Sequence, residues 1–274
     1  MTEPVLADVA AIIEACGRDV VLPAFRNLAG HDIGLKGPND FVTSADIAAE
    51  RYLSEDLAKL LPGAAIIGEE TATDEPSWRR TLGSADHVWL IDPIDGTANF
   101  AAGIAIFGIL VALVQKGVTT HAWLHDPVSG ETAVAERGAG AWIGDERLRV
   151  ANAKPTAHMQ GCLNLRFARD TDRAGLVAAI PQIAPTLELR CAVQIYLNAA
   201  AGRSDFAVFH KMYPWDHAAG VLLHAEAGGY GRHLDDTGYR PDGPAWGNPI
   251  LLTPGPEAWA ALRALLFPTT PNGA

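Results

Sequence analysis

The sequence of 274 residues predicts an α/β fold with mixed sheets and helices on both sides of them. Three observations lead to this prediction. In several segments apolar residues recur at three- and four-residue steps, as they do in amphipathic helices. Short apolar runs bounded by glycine, proline or acidic residues are typical of buried strands. Strands and helices alternate without the regular rhythm of an all-parallel sheet, so a mixed sheet is expected.

The first segment of the chain is predicted to be a helix that ends before Pro23 or continues beyond it with a kink. Its apolar face consists of Leu6, Val9, Ile13, Cys16 and Val20. A polar loop is expected from residue 27 to about residue 41. Thr43 and Asp46 have the spacing of a capping box, and the helix that they begin ends at Pro62-Gly63.

Two short apolar runs end in carboxylates. Residues 64–67 are followed by Gly68-Glu69-Glu70, and residues 88–91 are followed directly by Asp92. Both runs are predicted as buried strands, because apolar β-formers there are bounded by chain breakers. Further strands are expected at residues 104–114, 121–127, 131–135 and 138–143.

A boundary between two halves, 1–153 and 154–274, is most plausible near Lys154-Pro155. The first half, of α+β type, holds most of the acidic motifs, and the second, of α/β type, is expected to complete the active site. In the second half we predict strands at 161–165, between 180 and 194, at 205–209 and at 251–252. Helices are predicted at 170–180, 194–201, 216–227 and 256–266.

Charge and composition narrow the class of function. A formal net charge of −11 argues against a nucleic-acid or anionic-membrane binder, which would need a basic surface. Cys16, Cys162 and Cys191 are far apart and odd in number, which indicates reduced thiols. The N-terminus has no secretory pattern, and the longest apolar run, 103–114, is too short to span a bilayer. A cytoplasmic protein is expected.

The strand ends indicate a metal site. A carboxylate at the end of a buried strand lies at the rim of the core, where ligands bind in layered α/β folds. Asp92 and Asp95 are separated by a proline-containing turn that can direct both side chains, and the Ile94 carbonyl, at one point. Carboxylates placed together repel each other unless a cation is present, and Mg²⁺ prefers such oxygen ligands.

Gly96 and Thr97 follow at a turn or helix start. Their backbone N–H groups can receive phosphate oxygens, and the Thr97 hydroxyl can orient a water. No residue resembles an activated covalent nucleophile, so a metal-activated water is the expected attacking group, with a second ion stabilising the leaving oxygen.

Each of these residues also has a purely structural interpretation. Asp95-Gly96 is a common hairpin turn pair, and Glu69-Glu70 alone would fit a solvated loop. Asp216 alone would fit a helix N-cap, and Asp46 alone the acid of a capping box.

Together, however, these motifs resemble the inositol monophosphatase family. The similarity runs in order from about Lys36 to Gly229. It is carried by Asp40-Phe41-Val42-Thr43-Ser44-Ala45-Asp46, Gly68-Glu69-Glu70, Asp92-Pro93-Ile94-Asp95-Gly96-Thr97-Ala98-Asn99-Phe100, Trp215-Asp216-His217-Ala218-Ala219-Gly220 and Glu226-Ala227-Gly228-Gly229.

The resemblance implies a layered αβαβα sandwich of the inositol monophosphatase and fructose-1,6-bisphosphatase type, Mg²⁺-dependent phosphatase activity and a homodimer. It implies two or three Mg²⁺ ions per site, with the metal ligands Glu69, Asp92, the Ile94 carbonyl, Asp95 and Asp216. Glu70, Asp46 and Thr97 are implied as the catalytic residues that activate the water. Asp95, Gly96, Thr97 and Asp216 are implied on the substrate side, with a small phosphorylated metabolite as the substrate.

The segment expected to contact the rest of the substrate departs from the family pattern. Phe209 lies where inositol phosphatases have a glutamate that contacts a substrate hydroxyl, and phenylalanine cannot accept that hydrogen bond. Arg190 either binds a second anionic group or pairs with Glu188. Lys36 lies where the family often has a basic residue, and it has either a functional role or that of an ordinary solvated lysine. His217 could reach the rim of the site, but a surface position is expected. Inositol-phosphate-like, histidinol-phosphate and sugar-phosphate substrates stay open, as does a regulatory protein with incidental phosphatase activity.

Overall fold

The computed structural model describes residues 6–37, 40–72 and 74–268. The helices are α1 (Leu6–Cys16), α2 (Leu22–Ala24), α3 (Ser44–Leu60), α4 (Glu75–Ser84), α5 (Thr97–Ala101), α6 (Asp170–Ala179), α7 (Ala192–Ala200), α8 (Pro214–Glu226) and α9 (Pro256–Leu266). The strands are β1 (Ile33–Gly37), β2 (Asp40–Thr43), β3 (Ala65–Gly68), β4 (His87–Asp95), β5 (Gly108–Gln115), β6 (Val118–Asp126), β7 (Glu131–Glu136), β8 (Gly140–Ile143), β9 (Glu146–Arg147), β10 (Gly161–Cys162), β11 (Phe206–Phe209), β12 (Tyr230–His233) and β13 (Ile250–Thr253).

A seven-stranded sheet carries the acidic motifs of the first half. Its strands follow chain order from β3 to β9, and β3 pairs with β4 in parallel while each later pair is antiparallel. In this mixed sheet the ends of β3 and β4 lie at the same edge. Glu69, which follows β3, and Asp92, which lies near the end of β4, are therefore neighbours.

The elements form five layers. Helices α1 and α3 cover one face of the seven-stranded sheet, and α7 and α8 cover the other. A second sheet, in the order β10-β11-β13-β12, packs against α7 and α8 from the far side, and α6 and α9 pack on its outer face. This is the αβαβα sandwich that the family resemblance implied.

Strand β4 lies between two apolar layers, and its side chains alternate between them. Trp89 and Ile91 pack in the core under α1 and α3, whereas Val88 and Leu90 pack in the core under α7 and α8. Because the side-chain period of a strand is two residues, Asp92 faces the same way as Val88 and Leu90. The strand pattern thus directs this carboxylate toward α8.

Several element predictions were wrong in detail. Residues 33–37 and 40–43 form an antiparallel two-stranded ribbon rather than a polar loop. The Leu35 side chain of this ribbon is 65% exposed. Strand β5 begins only at Gly108, where a Cβ would meet Val193 and the His125 carbonyl. Residues 183–191 contain no strand, and β12 and α4 were not predicted.

Candidate active site

Three carboxylates meet at the edge where β3 and β4 end. One oxygen from each of Glu69, Asp92 and Asp216 lies within 4.8 Å of the others. The register explains two of them, since Gly68 is paired with Ile91 and the Glu69 N–H donates to the Ile91 carbonyl at 3.0 Å. Glu69 and Asp92 are therefore adjacent residues of two parallel strands.

Asp216 comes from the first turn of α8, which packs across the same sheet. Pro214 occupies the first helical turn, where a missing N–H costs nothing, and Tyr213 is the N-cap residue. The structure therefore does not support the interpretation of Asp216 as an N-cap. Its carboxylate joins Glu69 and Asp92 instead.

The electrostatics of this cluster are unfavourable without a cation. Burial, and after it the charge of Glu69, raises the pKa of both Asp92 and Asp216 well above the usual range. Asp92 is 2% exposed, and within the described residues its Oδ1 atom has no hydrogen-bond partner. A buried carboxylate oxygen without a partner, beside two further carboxylates, fits a hard divalent cation.

Asp95 connects the cluster to the second half of the chain. Its Oδ2 accepts from the Val193 N–H at 2.6 Å and from the Cys191 thiol at 3.1 Å. Burial raises the pKa of Asp95 to about 6, although these hydrogen bonds oppose the shift. The pairing of β4 with β5 is irregular between Asp92 and Asp95, which is how both side chains reach the site.

Gly96 is the residue at which the chain turns from β4 into α5. Its φ of +85° lies in the left-handed region, and an added Cβ would lie 2.9 Å from the Ile106 carbonyl oxygen and 3.2 Å from the Cys191 Cβ. Only glycine fits such a turn without strain. The turn places Thr97 directly beside the acidic cluster.

Thr97 and Asp46 are in contact across the site. The Thr97 hydroxyl lies 2.9 Å from the Ile94 carbonyl and 3.2 Å from Asp46 Oδ1. Asp46 Oδ2 also accepts from the Thr43 N–H at 2.8 Å, which is the capping box that the sequence predicted. Burial raises the pKa of Asp46 to about 6. Asp46 is thus both a helix cap and a neighbour of Thr97.

Lys36 reaches the same acidic residues. Its Nζ lies 3.0 Å from Glu69 Oε1 and 2.7 Å from Glu70 Oε1. Burial raises the pKa of Glu70 to about 7, and Lys36 opposes that shift. The ammonium of Lys36 is therefore bound at the site rather than dispersed in solvent.

Glu50 is a site residue that the sequence analysis did not identify. It is 2% exposed, and its two oxygens accept from the Glu70 N–H at 2.7 Å and the Thr71 N–H at 3.0 Å. Glu50 thereby holds the loop that carries Glu69 and Glu70. In the sequence, the observation that could have identified Glu50 is its position one helical turn after Asp46, which places it on the same, buried face of α3.

A cavity of about 500 Å³ opens above the acidic cluster. Glu69, Asp92, Ile94, Asp95, Gly96, Thr97 and Asp216 all line it. Its outer part is lined by a different set, which includes Arg166, Phe167, Glu188, Arg190, Phe209 and Trp246. The arrangement combines a negative floor, suited to cations, with cationic and aromatic walls, suited to an anionic ligand.

The two residues that depart from the family pattern both line this cavity. Phe209 is buried, and its ring stacks on Tyr196 with centroids 4.9 Å apart. Arg190 is exposed, and no ion pair joins it to Glu188 within the described ranges. The pairing interpretation of Arg190 is therefore not supported.

His217 was predicted at the surface but is 3% exposed. Its Nε2 lies 2.6 Å from the Lys211 carbonyl, and its Nδ1 lies 2.9 Å from the Tyr196 hydroxyl. Burial lowers the pKa of His217 to about 3. The surface prediction was wrong because α8 lies between the two sheets, so the side of this helix start that carries His217 packs against Tyr196 and Phe209.

Known proteins resemble this chain over nearly its whole length. Residues 2–264 match the sequence model of the inositol monophosphatase family. This chain belongs to the inositol monophosphatase family. An inositol-1-monophosphatase of Mesorhizobium japonicum is 33% identical over 215 residues, covering 77% of this chain and 79% of that protein. A Nus factor SuhB of Pseudomonas aeruginosa is 35% identical over 221 residues, covering 77% and 79%.

The fold agrees with this membership. A solved Thermotoga maritima IMPase superposes with a TM-score of 0.80 and 25% sequence identity, covering 94% of each chain. Family membership supports a phosphatase function. Among the described residues, no helix has the length and apolar character needed to cross a membrane.

Proposed function

We propose that this chain is a Mg²⁺-dependent phosphomonoesterase that hydrolyses a small soluble phosphate monoester with a metal-activated water. The observation that carries the proposal is the partly buried cluster of Glu69, Asp92 and Asp216, in which Asp92 Oδ1 lacks a partner among the described residues. Mg²⁺ bound there would supply the positive charge that acidifies a water and neutralises phosphate oxygens.

The residues around the cluster have separable roles. Glu69, Asp92, Asp95, Asp216 and the Ile94 carbonyl would hold two or three Mg²⁺ ions. The Ile94 carbonyl lies 2.9 Å from the Thr97 hydroxyl, so it faces the site. The backbone N–H groups of Gly96 and Thr97 would bind phosphate oxygens.

Thr97 and its acidic neighbours would handle the proton of the attacking water. When Asp46 is ionised, the Thr97 hydroxyl can donate to it and still accept a hydrogen bond from the water. The pKa of Glu70 is raised by burial to about 7, which is suitable for a proton acceptor near neutral pH. Either Glu70 or Asp46 would then take the proton.

A panel of inositol, sugar, nucleotide and histidinol phosphates tests the proposal. The purified protein is assayed for phosphate release with Mg²⁺ and with EDTA, and the same panel is run on Asp216→Asn. We expect Mg²⁺-dependent release from at least one ester and a loss of more than about 100-fold in the variant. Absence of release from every ester would contradict the proposal.

The relatives named Nus factor SuhB motivate a second candidate, a regulatory protein whose phosphatase activity is incidental. The two functions separate in a cell in which the gene is replaced by the Asp92→Asn allele. A phenotype equal to that of the deletion supports the enzyme. A phenotype equal to that of the wild type supports the regulatory protein.

A homodimer and a cytoplasmic location stay predictions. Light scattering of the purified chain at several concentrations tests the first. A mass of about 29 kDa, equal to one chain, at every concentration would contradict the homodimer.

A further inference from the structure

We propose that the substrate is a phosphate monoester whose alcohol carries an aromatic or heteroaromatic ring. The inference rests on the proposed phosphatase function and adds the class of alcohol. It is drawn from the part of the cavity beyond the acidic cluster, where the side chains differ in kind from those of the floor.

The wall at Phe209 offers no polar group to a polyol. Phe209 is stacked on Tyr196, and its ring centroid lies 4.8 Å from that of His217. A carbonyl can only accept, so His217 Nε2 donates to Lys211 and Nδ1 accepts from the Tyr196 hydroxyl. Both nitrogens of His217 are thus engaged, and a substrate hydroxyl placed against this wall would lose its hydrogen bonds to water.

The carboxylate of Glu188 also lines the cavity. It lies close to the backbone of residues 163–165, which follow β10. Neither Phe209 nor His217 therefore offers an unengaged acceptor at this wall that would select a ring bearing many hydroxyls.

Aromatic rings stand at the mouth of the cavity. The Trp246 indole is 49% exposed, and its centroid lies 6.3 Å from that of Phe167 in an edge-to-face arrangement. The chain on both sides of Trp246 is anchored. The Met212 N–H donates to the Ala245 carbonyl at 2.7 Å, and Arg169 Nη1 donates to the Gly247 carbonyl at 3.2 Å. The indole is thus an exposed apolar surface on a fixed segment.

Two cations lie against the same rings. Lys211 Nζ is 4.4 Å from the centroid of Tyr213, 5.7 Å from that of Phe167 and 6.0 Å from that of Trp246. The Arg166 guanidinium carbon is 4.8 Å from the centroid of Phe167. A planar π system is attracted both by aromatic rings and by cations, whereas a saturated ring gains from neither quadrupole interaction.

A matched pair of esters isolates this preference. 2-Phenylethyl phosphate and 2-cyclohexylethyl phosphate have the same chain and similar leaving alcohols, and the cyclohexyl compound is the more hydrophobic. A merely apolar cavity would favour the cyclohexyl ester. We expect kcat/KM with Mg²⁺ to favour the phenyl ester by at least tenfold, with most of the difference in KM, and both to exceed inositol 1-phosphate.

Trp246→Leu is the test variant, because it keeps an apolar side chain and removes the ring. We expect it to reduce the phenyl preference to less than threefold by raising KM for the phenyl ester alone. Trp142→Leu is the matched control, since Trp142 also packs against an arginine, Arg147, but lies in β8 and does not line the cavity. The control should keep the full preference.

The outcomes of these assays distinguish failure of the ring inference from failure of the proposed phosphatase function. Turnover of all three esters with equal efficiency, or with inositol 1-phosphate preferred, would overturn the ring inference and leave the phosphatase intact. An unchanged preference in Trp246→Leu would also overturn it. Absence of turnover for every ester would overturn the phosphatase proposal and the inference with it.

Discussion

Asp92 is the residue whose surroundings are least favourable without a cation. It is buried near the end of β4, close to Glu69 and Asp216, and its Oδ1 has no partner among the described residues. In the metal-free protein this carboxylate is a source of repulsion, and in the proposed Mg²⁺ complex it would be a ligand. Function and stability therefore place opposite demands on it.

Asp92→Asn should separate these demands. We expect Mg²⁺-dependent hydrolysis to fall by more than about 100-fold, because a ligand is lost. The melting temperature of the metal-free variant should equal or exceed that of the wild type, because one buried negative charge is removed. Differential scanning fluorimetry with EDTA and with Mg²⁺ measures both effects.

Asp86→Asn is the control for this comparison, since Asp86 is exposed and directly precedes the same strand. It should behave as wild type in both assays. A metal-free Asp92→Asn protein that melts well below the wild type would contradict the repulsion argument.

Thr97 is tested by two substitutions. Thr97→Val keeps the shape but removes the hydroxyl that contacts Asp46 and Ile94, and Thr97→Ser keeps the hydroxyl. We expect valine to lower kcat by about 100-fold or more with little change in KM, and serine to retain most of the activity. Equal losses in both variants would indicate a packing role instead of a role in proton transfer.

At the scale of the elements, the loop after β3 depends on one buried side chain of α3. The Glu50 carboxylate accepts from two consecutive N–H groups, those of Glu70 and Thr71. A Cβ on Gly68 would collide with this carboxylate, so glycine is required there for close approach. The Glu50 carboxylate thus fixes the position of the loop that carries Glu69.

Glu50→Gln should loosen that loop. An amide has one acceptor oxygen, so one of the two N–H groups loses its partner, at a cost of about 1–3 kcal/mol of stability. We expect the apparent Mg²⁺ affinity to fall by about 10-fold or more, as for other residues that orient metal ligands. Glu55→Gln, on the exposed face of α3, is the control. Unchanged Mg²⁺ affinity in Glu50→Gln would contradict the supporting role.

The sequence placed Glu69 and Asp92 at the ends of two apolar runs, and the family resemblance grouped them in one metal site, whereas the parallel pairing of β3 with β4 is a finding of the structure. Both follow short apolar runs, and residues that follow parallel neighbouring strands share an edge. The spacing of Glu50 from Asp46 placed it on the same face of α3, but its contact with the loop after β3 could not be predicted, because a glutamate on a helix is usually solvated and nothing local shows that α3 packs against this loop. The His217 environment was missed for a related reason, since burial by a second sheet is a property of the whole fold.

At the scale of the whole molecule, the buried carboxyls couple stability to pH. Burial raises the pKa of Asp46 and Asp95 to about 6 and that of Glu70 to about 7. In the unfolded chain such groups titrate near pH 4. Between about pH 4 and pH 7 the metal-free folded state therefore binds more protons than the unfolded state, and the free energy of unfolding falls as the pH rises.

On the proposed function Mg²⁺ should reverse this trend, because it would bind the carboxylates in their ionised form. We expect the rise in melting temperature on addition of Mg²⁺ to be small near pH 5 and to grow up to about pH 8. Thermal melts across this range, with EDTA and with Mg²⁺, measure the difference. A Mg²⁺-induced rise in melting temperature that is the same at every pH would contradict the coupling of stability to pH through these carboxyls.

Helix α8 packs on one face of the seven-stranded sheet, and this has a consequence for folding during synthesis on the ribosome. The last strand of that sheet ends at Arg147, but α8 is complete only at Glu226, roughly 80 residues later. At about 5–20 residues per second, one apolar face of the sheet stays uncovered for several seconds while the chain elongates. The nascent protein is therefore most vulnerable to aggregation, and most dependent on chaperones, in that interval.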